Sequence, residues 1–205
     1  MKNFIRKSVM AAALAGLVSL GAAAQSTDKS ADQSSSKASS TGSSQLSAAD
    51  QSFVKKAAAG GMAEVELGKL ATEKASSDDV KKFGQRMVDD HSKANDQLKQ
   101  LASQKGVNLP SDLEAKDKAL KDRLSKLSGE QFDRAYMKNM VRDHTKDVAE
   151  FRKESKSAKD NDLKNFASQT LPTLEDHLKE AKSIAPKQNQ QAMSEKPSAG
   201  KTSQQ

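Results

Sequence analysis

The sequence predicts an all-α protein, an up-and-down bundle of four long helices with an extra short helix between the second and the third. Three observations predict this fold. Apolar residues recur at intervals of three and four, which is the period of a helix and not of a strand. Residues 47–184 contain only two prolines, Pro110 and Pro172. Four segments of about 25 residues are joined by mostly short connections, which is typical of an antiparallel bundle.

The first 24 residues have the pattern of a signal peptide. Lys2, Arg6 and Lys7 precede an apolar run, and small residues then lead to Ala24, after which we expect cleavage. The apolar run of about 12 residues is shorter than the roughly 20 that cross a bilayer as a helix, so we expect no stable membrane insertion after cleavage. Because the chain has no cysteine, we expect no lipid attachment there. These features predict a periplasmic or secreted protein.

Two segments outside the bundle are predicted to be disordered. Residues 25–46 include nine serines and almost no apolar residue, so burial cannot offset the entropy lost on folding. Residues 185–205 are rich in Gln, Ser and Pro and have the same character. The folded domain is therefore predicted to cover residues 47–184.

Local signals place the helices of this domain. Ser47 and Ser128 each begin a sequence typical of a capping box. Ser76 and Ser77, followed by two aspartates, indicate the start of the second helix, and Gly106 indicates its end. The predicted helices cover residues 47–75, 78–106, 111–127, 128–157 and 160–184.

Composition excludes several classes of function. The formal charge falls from +7 to +4 when the three basic residues of the signal peptide leave, and the chain has one Tyr and no Trp. Nucleic acid is therefore not predicted as a partner, because a basic stripe and stacking aromatics are missing. The chain also lacks a nucleophilic cysteine, a Gly-x-Ser-x-Gly elbow and a Gly-rich phosphate loop. The residues thus favour a protein that is not an enzyme.

Four titratable residues interrupt the predicted apolar faces. At 100° per residue, Glu64 falls on the inward face of the first helix. The only histidines of the chain fall on the inward faces of the other three long helices, at His91, His144 and His177. Glu64 lies 12 residues before the turn at Ser76 and His91 lies 15 after it, a mismatch of about 4.5 Å at the helical rise. We therefore expect all four groups near the middle of the bundle.

A polar cluster inside a small core is costly unless its members satisfy one another or coordinate an ion. Imidazole and carboxylate groups suit transition metals such as iron, zinc, copper or manganese, and bundle cores often hold such sites. We predict one metal site with the ligands Glu64, His91, His144 and His177. Asp147 and Glu180, each three residues after a histidine, are predicted to support these ligands from outside. The aspartates just before each histidine, Asp90, Asp143 and Asp176, point about 100° away and are less favoured.

An alternative interpretation needs no metal. In this interpretation Glu64 accepts hydrogen bonds from the imidazoles, and the buried network only fixes the register of the helices. The protein is then a non-catalytic structural or interaction protein of the envelope. The sequence indicates no particular envelope partner and no oligomeric state.

Several segments together resemble a bacterial exported family, the domain-of-unknown-function family 4142. They are FVKKAAAGGMAEVEL at 53–67, MVDDH at 87–91, GVNLP at 106–110, YMKNMVRDH at 136–144 and LPTLEDH at 171–177. The resemblance implies export, a ferritin-like four-helix bundle and a link to envelope stress or metal handling, without an established activity. Ferritin-type di-metal enzymes carry Glu-x-x-His pairs, whereas Val88, Val141 and Leu174 stand three residues before the histidines here. Di-iron oxidation chemistry is therefore not predicted.

Overall fold

The computed structural model describes residues 45–194, with side chains described as far as residue 185. This part of the chain consists of five helices without a strand, which confirms the predicted all-α bundle with a short extra helix. The predicted signal peptide and its cleavage after Ala24 lie outside the described residues, as do most of the linker and residues 195–205. The helices are α1 (Ala48–Lys74), α2 (Asp78–Gln104), α3 (Ala115–Ser125), α4 (Gly129–Ser157) and α5 (Asn161–Ser194).

The first helix begins where its capping signal predicts. Ser47 is the N-cap of α1, and its hydroxyl accepts a hydrogen bond from the backbone N–H of Asp50 at 3.2 Å. Leu46, which we assigned to the linker, is only 4% exposed and belongs to the core. Burying a leucine side chain stabilises by about 1.5–3 kcal/mol, so the packed domain begins before residue 47.

The starts of α3 and α4 differ in two respects from the prediction. Ser128 is the N-cap of α4 without a side-chain capping bond, so the second predicted capping box does not form. The short helix α3 begins at Ala115 rather than at residue 111. The carboxylate of Asp112 accepts a hydrogen bond from the N–H of Leu113 at 2.7 Å, and such local bonds compete with helix formation.

The last helix is longer than predicted. It runs without interruption through Pro172 and ends at Ser194 rather than near residue 184, so it reaches into the segment predicted as a disordered tail. Lys, Gln, Ala and Met dominate this extension and are all good helix formers. Within residues 45–194, none of the helices combines the length and apolar character needed to cross a bilayer.

The four long helices form a closed ring of neighbours. The closely packed pairs are α1 with α2 and α4 with α5, and the ring is completed by contacts between α2 and α5 and between α1 and α4. The short helix α3 lies against α1 and α4. Each long helix therefore presents one face to a common centre, and side chains from α2, α4 and α5 are able to meet there.

Two glycines allow the close approach of α1 and α2. A Cβ atom added to Gly68 would lie 2.6 Å from the carbonyl oxygen of Gly84, and one added to Gly84 would lie 2.9 Å from the carbonyl oxygen of Gly68. Any side chain at either position therefore forces the backbones apart. The two glycines hold α2 tightly against α1 two turns from His91.

A layer of polar side chains divides the core into two apolar clusters. One cluster lies at the end of the bundle that contains Phe53, Leu98 and Phe151. The other contains Phe83 and Tyr136 and lies at the opposite end. The buried polar residues between these clusters along the four long helices are Glu64, His91, His144 and His177.

A side chain of α4 caps the turn between α1 and α2. The carboxylate of Asp133, which is fully buried, accepts hydrogen bonds from the backbone N–H of Ser76 at 3.1 Å and of Ser77 at 2.9 Å. It also accepts one from the hydroxyl of Ser76 at 2.7 Å. The side chain of Ser77, the N-cap of α2, makes no capping bond itself. Asp133 thus ties the second half of the bundle to the first.

Candidate metal centre

The three histidines of the chain meet at the centre of the bundle. They come from α2, α4 and α5, and all three are buried. Their ring centroids are 5.3–5.6 Å apart. One ring nitrogen from each lies within 4.8 Å of those from the other two, which is close to the spacing of nitrogens that share one metal ion at roughly 2.0–2.1 Å each. The residues that converge are His91, His144 and His177.

Hydrogen bonds fix the outer nitrogens of two of these rings. Nδ1 of His144 lies 3.1 Å from the carbonyl oxygen of Met140. Nε2 of His177 lies 2.8 Å from Oδ2 of Asp90. Because a carbonyl and a carboxylate only accept, each of these nitrogens carries the proton. The opposite nitrogen of each neutral ring therefore presents a lone pair, which is the form that ligates metals.

Each of the three rings also has one buried nitrogen without a hydrogen-bond partner. These atoms are Nε2 of His91, Nε2 of His144 and Nδ1 of His177. Most buried polar atoms in native proteins are paired, and each that is not costs about 1–3 kcal/mol. Each of the three converging histidines thus has a ring nitrogen whose hydrogen-bonding capacity is not satisfied by the described part of the protein.

Burial keeps the three imidazoles neutral. Desolvation lowers the pKa of His91 well below its ordinary value and lowers that of His144 to about 4. Desolvation also lowers the pKa of His177, although the carboxylate of Asp90 opposes the shift. All three shifts favour the neutral form of the imidazoles.

An aromatic side chain covers one side of the cluster. The ring of Phe83, which is fully buried, lies edge-on to His144 and His177 with centroid distances of 6.4 Å to each. Met87 is also fully buried, one turn before His91 on α2. On this side the histidines are separated from water by apolar groups.

Glu64 is buried but belongs to a different set of interactions. Among residues 45–194, the group whose potential ligand atoms lie within 4.8 Å of one another contains the three histidines and not Glu64. Burial, and then the charges of Asp147 and Asp143, raise the pKa of Glu64 well above its ordinary value. Its Oε2 atom has no hydrogen-bond partner. The place of Glu64 among the metal ligands stays a prediction.

The acidic residues expected to support the ligands lie at different distances from the histidines. Glu180 accepts from Nη1 of Arg86 at 2.6 Å, and Arg86 also contacts Asp90 at 3.3 Å. Glu180 is therefore linked to His177 through two intermediate side chains. Asp147 lines a small cavity together with His91. The direct partner of His177 is Asp90, which we had less favoured.

Asp90 was less favoured because it precedes His91 and points away from it. Because successive residues of a helix are rotated by about 100°, Asp90 faces away from His91 and towards α5. There it meets His177, which lies 87 residues later in the chain. Which aspartate supports which histidine depends on the order of helices around the bundle. Predicting the pair of Asp90 with His177 therefore requires the knowledge that the second and last helices are neighbours.

Replacing Asp147 by asparagine is expected to stabilise the metal-free protein at neutral pH. Burial, followed by the charges of Asp143 and Glu150, raises the pKa of Asp147 from 3.8 to about 7. The folded state therefore holds a proton that the unfolded chain loses above about pH 4, so this contribution to stability is lost as pH rises towards 7. Asp147 is only half-buried, so we expect a gain of about 1–2 kcal/mol rather than the roughly 4 kcal/mol of a full shift.

The measurement is the free energy of unfolding in urea at pH 4, 6 and 8, with a chelator present. The difference between Asp147→Asn and the unmodified protein is expected to be small at pH 4, to grow up to about pH 7 and to stay constant above it. Asp96→Asn, an exposed position on α2, is the control. A difference that does not change with pH would contradict the prediction.

Comparisons with known proteins agree with this architecture. The chain matches the family described as "Domain of unknown function (DUF4142)" over residues 35–184. The fold is similar to the crystal structure of a DUF305 fragment from Deinococcus radiodurans, with 15% sequence identity, a TM-score of 0.62, and coverage of 70% of this chain and 99% of that one. No curated protein matches the chain. Because the family match covers well over half of the sequence, the chain belongs to the DUF4142 family.

Proposed function

We propose that this protein is an exported helical bundle that binds one transition-metal ion through its three histidines and serves in metal handling outside the cytoplasm. The observation that carries the proposal is the convergence of three buried histidines, each of which has a buried ring nitrogen without a hydrogen-bond partner. These residues are His91, His144 and His177, and one ring nitrogen from each lies within 4.8 Å of those from the other two. Three neutral imidazoles at one point are a ligand set that zinc, copper and iron accept, and manganese is a further candidate.

The surroundings of the rings support this proposal. Metal-binding histidines usually donate their second nitrogen to a carbonyl or a carboxylate, which orients the ring and raises its basicity. His144 and His177 both make such a bond, to the carbonyl of Met140 and to Asp90. Two of the three rings thus make the kind of hydrogen bond that orients metal-binding histidines.

The test is the metal content of the protein purified from the periplasm. The full chain is expressed in a bacterium and released by osmotic shock, and the mature mass is expected to begin at Gln25. We expect about one transition-metal ion per chain by elemental analysis after dialysis against zinc, copper or iron. The double variant His91→Ala with His144→Ala is expected to contain only background metal, because one imidazole remains.

A matched double variant replaces exposed residues on the same two helices, Gln100→Ala on α2 and Gln131→Ala on α4. It is expected to keep the full metal content. Circular dichroism at 222 nm checks that every variant is folded. Background metal in the unmodified protein, together with a lower melting temperature of the histidine variant, would support the metal-free alternative instead.

A further inference from the structure

A cavity between α2 and α5 reaches the candidate metal centre. Its volume is about 290 Å³, it is partly open to solvent, and its lining includes His91, His177 and Asp90. His144 is fully buried and is not among the lining residues. His91 and His177 thus contribute to the lining of this partly open cavity, whereas His144 does not.

The ligand set leaves a coordination position for a group from outside the protein. In residues 45–194, no fourth histidine, aspartate or glutamate joins the three imidazoles within 4.8 Å. Metals such as zinc are four-coordinate, and sites with three protein ligands keep the fourth position for water or an exogenous ligand. Phe83 covers one side of the cluster. Two cavities have His91 in their lining, and the one between α2 and α5 is the larger, at about 290 Å³ against about 40 Å³, and is also lined by His177.

Charge favours an anion in that position. The three imidazoles are neutral ligands, so they leave the positive charge of a bound ion uncompensated. Among the described residues that line the cavity, Asp90 is the one with a carboxylate, and its Oδ2 is already bonded to His177 and Arg86. Lys93 and Gln97 also line the cavity, and both side chains carry hydrogen-bond donors.

We propose that the cavity between α2 and α5 admits a small inorganic anion, which binds as an exchangeable fourth ligand to the metal held by His91, His144 and His177. The proposal rests on the proposed function, since it needs the metal. It differs from a closed structural site, in which the protein supplies all four ligands. Glu64 is a competing ligand from the chain, because it is buried near the middle of α1.

The experiment uses the purified mature protein loaded with cobalt(II), whose visible absorption reports its ligands, and azide as the probe anion. Elemental analysis first establishes one cobalt ion per chain. Azide is then expected to change the visible spectrum in a saturable titration. Cobalt that binds with a spectrum insensitive to azide would overturn this inference and leave the proposed function intact. Failure to bind cobalt or any other transition metal would overturn both.

Two variants locate the anion. Ala94 lines the cavity, so Ala94→Leu is expected to narrow it. This variant is expected to bind cobalt like the unmodified protein but to bind azide at least tenfold more weakly. Ala149→Leu adds the same side chain at an exposed position of α4 and is expected to behave like the unmodified protein. Equal azide affinity in the two variants would place the anion elsewhere and overturn the proposal. So would an azide response that appears only in Glu64→Gln, because Glu64 would then occupy the fourth position.

Discussion

Replacing Asp133 by alanine is expected to lower the free energy of unfolding by about 3–4 kcal/mol. The carboxylate accepts three hydrogen bonds from Ser76 and Ser77, and it is fully buried. Hydrogen bonds to a charged group contribute about 1.5–3 kcal/mol each, and their loss leaves the partners unsatisfied where water does not reach them. Because Ser76 itself is exposed, water replaces part of what is lost, and the expected value is below the sum of three full bonds.

Urea denaturation followed by circular dichroism at 222 nm measures this loss. Asp133→Asn keeps one acceptor oxygen and is expected to lose about half as much as Asp133→Ala. The control Asp96→Ala removes an exposed aspartate of α2 and is expected to change stability by less than about 0.5 kcal/mol. If Asp133→Ala and Asp96→Ala are equally stable, the carboxylate does not hold the two halves of the bundle together.

Metal at a thousand times its dissociation constant is expected to raise the free energy of unfolding by about 4 kcal/mol. His144→Leu is expected to abolish this gain, since two ligands remain. In the metal-free state, however, the same variant is expected to be as stable as the unmodified protein or more stable by about 1 kcal/mol. The substitution removes a buried nitrogen, Nε2, that has no partner, and the apolar replacement has a similar volume.

Thermal unfolding with and without metal, and with a chelator, measures both effects. Asn165→Leu, at an exposed position of α5, controls for the added leucine and is expected to keep the gain from metal. The metal-free alternative predicts a different result for His144→Leu. If the histidines only maintain the register of the helices, the variant loses stability with the chelator present, and metal stabilises none of the proteins.

The sequence was sufficient to predict the helices because the information for them is local. The spacing of apolar residues and the cap at Ser47 depend on neighbours within one or two turns, and α1, α2 and α4 begin within a residue of their predicted starts. Two ends were predicted less well. Leu46 is buried in the same core cluster as Leu98 and Phe151, which are distant from it in the sequence. The extension of α5 to Ser194 consists of residues that are compatible with either a helix or a tail.

The inward position of the three histidines was also predictable, because the face of a helix follows from its period alone. The contacts between helices were not predictable in this way. The cap formed by Asp133 joins residues 56 and 57 positions apart, and the pair of Asp90 with His177 depends on α2 lying next to α5. The helical period places Glu64 on the same inward face, yet its strongest charged neighbours are Asp147 and Asp143 rather than the imidazoles.

The three histidines are distributed unequally between the two closely packed helix pairs. His91 belongs to the pair α1–α2, whereas His144 and His177 belong to the pair α4–α5. An ion bound by all three would cross-link the two hairpins, as a disulfide does in many extracellular proteins, and this chain has no cysteine for that purpose. Unlike a disulfide, such a cross-link is reversed by a chelator, so the mechanical strength of the bundle would follow the metal content of its surroundings.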